Sequence, residues 1–191
     1  MAELIKPGQL RDEIWGTLMR ARAVGYPLPP HGHHPNFTGA TDATRALLGH
    51  PTLGALRTLI VGPERVLYTL RKLALQQGKV LYVPDQRREG WYVRLEHQPK
   101  GAELKHMSKL GEPRLHPEDA QGVVLACVAV DQTGARLSKG FGWGAAGLKL
   151  GLPEFTLAHP LMLREELPCV ADSRVELIAT PGKVWSPLST S

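Results

Sequence analysis

Between Arg57 and Val83 the chain reads strand, helix, strand, and this restricts it to a small set of architectures. Arg57 to Val61 (R-T-L-I-V) is a short β-rich run ended by Gly62. Pro63 suits the first turn of a helix running to Gln77, with Val66, Leu67, Leu70, Leu73 and Ala74 on one face and Gly78 placed to terminate it. Lys79 to Val83 (K-V-L-Y-V) is the next strand, stopped by Pro84. Two apolar strands joined by one amphipathic helix form a βαβ unit, whose strands run parallel. The chain is therefore an α/β protein.

Other segments extend the sheet. Gly122 to Val130 is the most hydrophobic strand and belongs at the centre. Glu154 to Ala158 and Val175 to Ala179 are further short strands, and Asp85 to Leu95 reads as an edge strand after a polar turn. A first helix spans Gln9 to Ala23, with Leu10, Ile14, Leu18 and Met19 near one face and Arg11, Asp12, Glu13 and Arg20 on the other. Lys6 and Arg11 bracket its start, a place where anions bind well. A second, short helix covers about Thr41 to Leu48. Residues Gln98 to Gln121 are polar and poorly periodic, an excursion expected over the sheet's carboxyl edge, where open α/β sheets bind ligands. The order predicts a single domain, 1–191, with an open mixed, mainly parallel sheet, a glycine loop followed by a helix, and helices on both faces.

The stretch most suited to chemistry is Val130 to Gly151. It turns through Asp131-Gln132-Thr133-Gly134 and then carries five glycines between Gly140 and Gly151. Successive amides of such a loop form a cup for phosphate oxygens, and Arg136 and Lys139 are expected at its rim as cationic donors. The alternative is a flexible hairpin followed by a weak helix. No G-K-[ST] follows the glycines, there is no G-x-S-x-G, and neither Cys127 nor Cys169 lies in a Cys–His setting; both read as buried free thiols. His31, His33 and His34 lie in a proline-rich loop without helical ligand spacing, which favours a polar loop rimming a cleft over a metal site. A net charge of +5 favours anionic partners. The arginines beside Trp91 and Tyr92 add an RNA-binding alternative without selecting it. No run approaches the roughly 18–20 apolar residues of a membrane span, and Met1–Lys6 lacks the features of a secretory signal, so a cytoplasmic location is expected.

Several segments together resemble the 5-formyltetrahydrofolate cyclo-ligase family, and within it the divergent branch of methenyltetrahydrofolate synthetase domain-containing proteins. They are L-R-D-E-I-W at Leu10–Trp15, H-P-N-F-T-G-A at His34–Ala40, G-K-V-L-Y-V-P at Gly78–Pro84, V-A-V-D-Q-T-G-A-R-L-S-K-G-F-G-W at Val128–Trp143, T-L-A-H at Thr156–His159 and V-E-L-I-A-T-P at Val175–Pro181. The resemblance implies an open sheet of the type shared with sugar-phosphate isomerases and CoA-transferases, ATP and Mg2+ as cosubstrates, and a reduced folate as substrate. It implies that Lys6 and Arg11 reach the ATP phosphates and that Arg136, Lys139, Gly140 and Gly142 form the phosphate loop, Arg136 and Lys139 as the catalytic pair. Trp143 stands where the family has a tyrosine or phenylalanine against pterin or nucleotide, and His159 joins it on the substrate. The family's acidic positions after the loop are Gly144, Ala145 and Gly147 here, which leaves Asp131 and Glu154 as candidate metal ligands. Two function classes follow: an ATP-dependent cyclo-ligase acting as monomer or homodimer, or a nucleotide- or pterin-binding protein of the same fold without catalysis.

Overall fold

In the computed structural model, which describes residues 3–187, the βαβ unit is built as the sequence predicts. Strand β1 (Thr58–Val61) leads through a 3-10 turn at Arg65–Leu67 into a helix at Tyr68–Gln76, and β2 (Val80–Pro84) returns parallel to β1 with Thr58 opposite Val80 and Ile60 opposite Tyr82. Three helices precede this unit: α1 (Pro7–Arg20), α2 (Ala40–Gly49) and α3 (Pro51–Gly54); the helix between the strands is thus α4. Helix α1 buries Leu10, Ile14, Trp15 and Leu18 as one stripe, with Pro7 in its first turn. It stops short of Ala23 because Arg22 takes a positive φ of 53° and turns the chain away.

After β2 come β3 (Tyr92–Glu96), α5 (Leu104–Leu110) and β4 (Glu112–Arg114). The remaining strands are β5 (Gly122–Val124), β6 (Ala129–Asp131), β7 (Ala135–Leu137), β8 (Glu154–Leu157), β9 (Leu163–Arg164), β10 (Ser173–Arg174), β11 (Leu177–Thr180) and β12 (Lys183–Trp185). Eight of them form one sheet in the order β12-β11-β8-β5-β1-β2-β3-β4. The five central strands, β11 to β2, are parallel, and antiparallel strands close both edges. A smaller sheet, β10-β7-β6-β9, carries the start of the glycine segment.

Three expectations change. The run Gly122–Val130 is central, as read, but it divides between β5 of the large sheet and β6 of the small one. Every residue in it is buried, so no alternation marks the crossing. The segment Gln98–Gln121 forms α5 and edge strand β4; its Ala102 lies near Gly62 and Glu64 at the carboxyl end of β1, joined to them through Arg71, and the chain then returns to Gln121, whose side chain accepts from the amides of Arg57 and Thr58 at the sheet's amino edge. No helix follows the glycine loop: residues 140–153 are turns and bends. Glycine loses the most backbone entropy on ordering, and the positive φ of these glycines is incompatible with a helix.

That last change decides how the sheet is covered. Leu59, Val61, Leu81, Val83 and Leu95 belong to the main core with α2 and α4. On the opposite face Ile60, Tyr82, Val123 and Leu125 are packed by Ala120, Trp143, Leu148 and Leu152, so the glycine segment itself stands where a second helical layer was expected. Burying a large apolar side chain contributes about 1.5–3 kcal/mol. The loop is therefore anchored to the core by its own apolar residues as it crosses this face from Gly140, beside Arg11, to Gly147, which lies against Glu154 at the amino end of β8.

Candidate functional site

The glycine segment is held from below by Arg136, which extends from β7 with 1% of its surface exposed. Its Nε donates to the Ala126 carbonyl at 2.9 Å, one terminal nitrogen to Ser173 Oγ at 3.0 Å, and the other to the Gly144 carbonyl at 3.2 Å. The Ala145 carbonyl lies 3.4 Å from the guanidinium. Burial pushes its pKa down, while the nearby charges of Glu154, Glu64 and Asp172 oppose that shift. The expected position at the rim of the loop is thereby corrected: the guanidinium is spent on backbone carbonyls inside the protein.

Ser138, at the loop's entrance, donates both its amide and its hydroxyl to Asp172 Oδ2 at 2.8 Å, and its hydroxyl accepts the Gly140 amide at 3.0 Å. Arg11 reaches across from α1, donating from Nε to the Ser138 carbonyl at 2.7 Å and pairing with Asp172 at 3.5 Å. Gly140 has φ 97°, a conformation that favours glycine, and a Cβ there would lie 2.9 Å from the Arg11 guanidinium and displace it. Among the described residues no protein acceptor pairs with the amides of Phe141, Gly142, Trp143 or Gly144. Four consecutive N–H groups without protein partners leave this loop free to receive hydrogen-bond acceptors.

Facing this loop is a carboxylate from the end of β1. Glu64 follows Gly62-Pro63, and its carboxylate folds back so closely that a Cβ on Gly62 would meet it at 2.0 Å. Buried Arg71 of α4 fixes this turn by donating to the carbonyls of Gly62 (2.8 Å), Glu64 (2.9 Å) and Ala102 (3.2 Å). Burial lowers the Arg71 pKa to about 10. His34, whose side chain is fully buried, lies between the two halves: Nε2 accepts the Lys139 amide at 3.2 Å, and Nδ1 lies 3.4 Å from Glu64 Oε1, short of hydrogen-bond geometry. Glu64 Oε2 and His34 Nδ1 are both buried without a hydrogen-bond partner. Burial alone would raise the Glu64 pKa; the neighbouring His34 and the charge of Arg71 outweigh it and leave the carboxyl below its ordinary range. Burial lowers the His34 pKa, so the imidazole is neutral at pH 7.

Two cavities meet here. One, of about 360 Å3, has Glu64, His34, Gln86, Lys139 and Trp143 in its walls; the other, of about 750 Å3, has Gln86, Arg87, Trp91, Tyr92 and Trp143. Trp143 is the partition between them. Its indole N–H donates to the Tyr92 hydroxyl at 3.4 Å, and the two rings meet edge to face at 6.3 Å. The Lys139 ammonium lies 4.5 Å over the Phe141 ring at the exposed end of the loop. The cleft opens beyond the carboxyl ends of β1 and β2, as the general rule for open α/β sheets requires.

The structure brings together Arg11, Lys139, Gly140, Gly142 and Trp143. Lys6 remains exposed at the N-cap of α1, and among the described residues its side chain makes no hydrogen bond or ion pair to the loop. His159 is separated from the cleft: its Nδ1 accepts the Leu161 amide at 3.0 Å, capping the turn at Pro160–Met162, and its ring packs edge-on against Phe37. Its assignment to the substrate is therefore corrected to a structural cap. Glu64, Arg71, Asp172 and Ser173 were not singled out from the sequence. The usable signal for Glu64 was its place directly after a parallel strand, in Gly62-Pro63-Glu64.

The residues present do not assemble a protein-held magnesium site. Among the described residues no three His, Cys, Asp or Glu side chains gather as a ligand set. Asp131 Oδ1 accepts from the Thr133 amide and hydroxyl and the Ala135 amide, and Oδ2 from the Leu167 amide at 2.8 Å, so this candidate ligand is a turn-fixing group instead. Glu154 accepts from Ser173 at 2.9 Å and the Leu148 amide, beneath Gly147, and feels the Arg136 charge. Magnesium is held by few carboxylates together with substrate phosphates, and Gly144, Ala145 and Gly147 of the loop supply none.

A family profile described as the 5-formyltetrahydrofolate cyclo-ligase family matches residues 8–181. The methenyltetrahydrofolate synthase domain-containing proteins of Homo sapiens and Mus musculus are 27% and 26% identical, over 92% and 95% of this chain. The chain spans about half the length of these curated relatives, 52% and 55% respectively. Among solved structures, the fold is similar to Aquifex aeolicus 5,10-methenyltetrahydrofolate synthetase, with a TM-score of 0.61 at 20% identity over 95% of both chains. The Mycoplasma pneumoniae 5,10-methenyltetrahydrofolate synthetase aligns with a TM-score of 0.50 at 13% identity, over 91% of this chain and 98% of that one.

Proposed function

The chain belongs to the 5-formyltetrahydrofolate cyclo-ligase family, and from that premise we propose that it is an ATP-dependent cyclo-ligase closing 5-formyltetrahydrofolate, or a closely related formyl-bearing reduced folate, to the 5,10-methenyl form. The observation that carries this reading is the opposition of an anion cup, Phe141–Gly144 with Lys139, to the anionic carboxylate of Glu64 across one cleft walled by Trp143. The cup receives the ATP phosphates, and the Glu64 carboxylate accepts N–H donors of the pterin ring. Trp143 supplies a flat apolar wall for that ring.

In the reaction the formyl oxygen on N5 attacks the γ-phosphorus and ADP leaves. N10 then adds to the activated carbon and gives up its proton to the departing inorganic phosphate, which carries that oxygen away and leaves the N5=C–N10 bridge. Positioning and charge stabilisation are what this chemistry asks of the protein. Lys139 neutralises charge on the transferring group, while Arg11 and Arg136 act as positioning residues for the loop. Any magnesium arrives on the nucleotide's phosphates.

Mixing the protein with Mg-ATP and 5-formyltetrahydrofolate tests the reading: ADP release should match the rise in methenyl absorbance. The neutral residues Gly144, Ala145 and Gly147 favour one second reading, a nucleotide- or pterin-binding protein without turnover. Stabilisation by ATP with no ADP and no methenyl product would establish that reading over the first.

A further inference from the structure

We propose that His34 is a positioning residue that couples the two halves of the cleft, so that occupancy of Glu64 by a planar N–H donor tightens the glycine loop on phosphate, and the reverse. The proposal rests on the cyclo-ligase reading of the cleft, and it specifies how the two substrates cooperate there.

Because Nε2 accepts the Lys139 amide at 3.2 Å, it carries no proton, and the neutral ring bears its hydrogen on Nδ1. Nδ1 lies 3.4 Å from Glu64 Oε1 without the alignment of a hydrogen bond. The second carboxylate oxygen is buried and unpartnered as well. Two adjacent buried polar atoms lacking partners form an unfinished network, which is costly until something completes it. A ligand N–H that engages the Glu64 carboxylate and turns Oε2 off Gly62 supplies the missing piece. Drawing the carboxylate into place shortens the Nδ1–H contact, and a stronger bond on Nδ1 makes Nε2 a better acceptor for the Lys139 amide.

Lys139 is the first residue of the anion cup's rim, so its amide is where ligand binding at Glu64 is felt by the phosphate loop. The charged groups acting on His34 are Glu64, which favours its protonation, and Arg136 and Lys139, which oppose it; Arg71 acts on Glu64 from behind. Protonated His34 cannot accept the Lys139 amide, so coupling requires the neutral ring.

Coupling is reciprocal and is read as the factor by which one ligand changes the other's dissociation constant. Calorimetric titration of a non-hydrolysable ATP analogue, with and without saturating 5-formyltetrahydrofolate, should give an affinity gain of about 5-fold or more in the native protein, the lower end of usual coupling. His34→Leu should bring the factor to one. His34→Gln, which offers both an acceptor and a donor, should recover part of it. A factor unchanged in His34→Leu, with both ligands still bound, overturns the proposal and leaves the cyclo-ligase reading intact. Failure of the native protein to bind either ligand overturns both. Nitrogen NMR of the imidazole in the unmutated protein is the safeguard against misfolding of the variants. It should show Nδ1 protonated and Nε2 bare, and the opposite tautomer refutes the proposal.

Discussion

Arg136 and Arg71 solve the same problem at two places, each donating a buried guanidinium to carbonyls of a loop that borders the cleft. Removing Arg136 strands those acceptors away from water, at about 1–3 kcal/mol for each orphaned group. Arg136→Met should therefore lower unfolding free energy by about 3 kcal/mol or more, measured by urea denaturation. If the guanidinium instead touched phosphate directly, nucleotide affinity would fall while the urea midpoint held. His34 gives a second residue-level prediction. Its folded pKa lies below the ordinary histidine value of 6.5, so between those values the unfolded chain binds more protons than the native one. Stability should be at its plateau above about pH 6.5 and decline on acidification toward the folded pKa. Denaturation midpoints from pH 7.5 to 5 should show a smaller slope in His34→Gln than in the native protein; an equal slope would assign the effect elsewhere. Neither Arg136 nor His34 could be oriented from the sequence, because a cation beside glycines looks the same whether it faces phosphate or carbonyls.

At the scale of elements, the glycine loop is a non-helical covering of the sheet, with Trp143, Leu148 and Leu152 as its anchors. Its acid-free turn has a testable consequence. Stabilisation by an ATP analogue, followed by thermal denaturation, should persist in excess EDTA. Ala145→Asp, which restores a carboxylate beside the cup, should make that stabilisation stronger with magnesium than without it. The same response in both proteins would show that the metal is held elsewhere. Much at this scale was legible. The 3.6-residue stripe on α4 and the flanking apolar runs specified β1, β2 and their parallel pairing, and the glycines marked the loop. The fate of Gly122–Val130 was not, since a run buried on both sides hides the point at which it leaves one sheet for another. Glu64 was hidden differently: its place directly after a parallel strand marks a turn, but what it faces is set only when folding brings it opposite Lys139.

In the whole molecule, five parallel strands form the interior of the large sheet, and β3 and β4 form one margin, where β4 is exposed throughout. Amide hydrogen exchange should be slowest in β1, β5 and β8 and faster in β4 by several orders of magnitude, because margins open without global unfolding. Uniform exchange across the sheet would contradict that hierarchy. No described helix is long and apolar enough to cross a membrane. The charge of +5 suits an anionic ligand and leaves the RNA alternative to a direct test, in which binding would weaken steeply with salt.

The walls of the smaller cavity come from four distant stretches of chain: His34 before α2, Glu64 after β1, Gln86 after β2, and Lys139 with Trp143 after β7. No fragment holding one or two of these stretches contains the cleft. Recognition is thus a late event in the life of each molecule, available only once early and late parts of the chain have met. Loop closure over such separations is paid before the contacts reward it. During refolding, nucleotide binding should emerge together with the final native signal, and a nucleotide present throughout should slow unfolding more than it speeds folding.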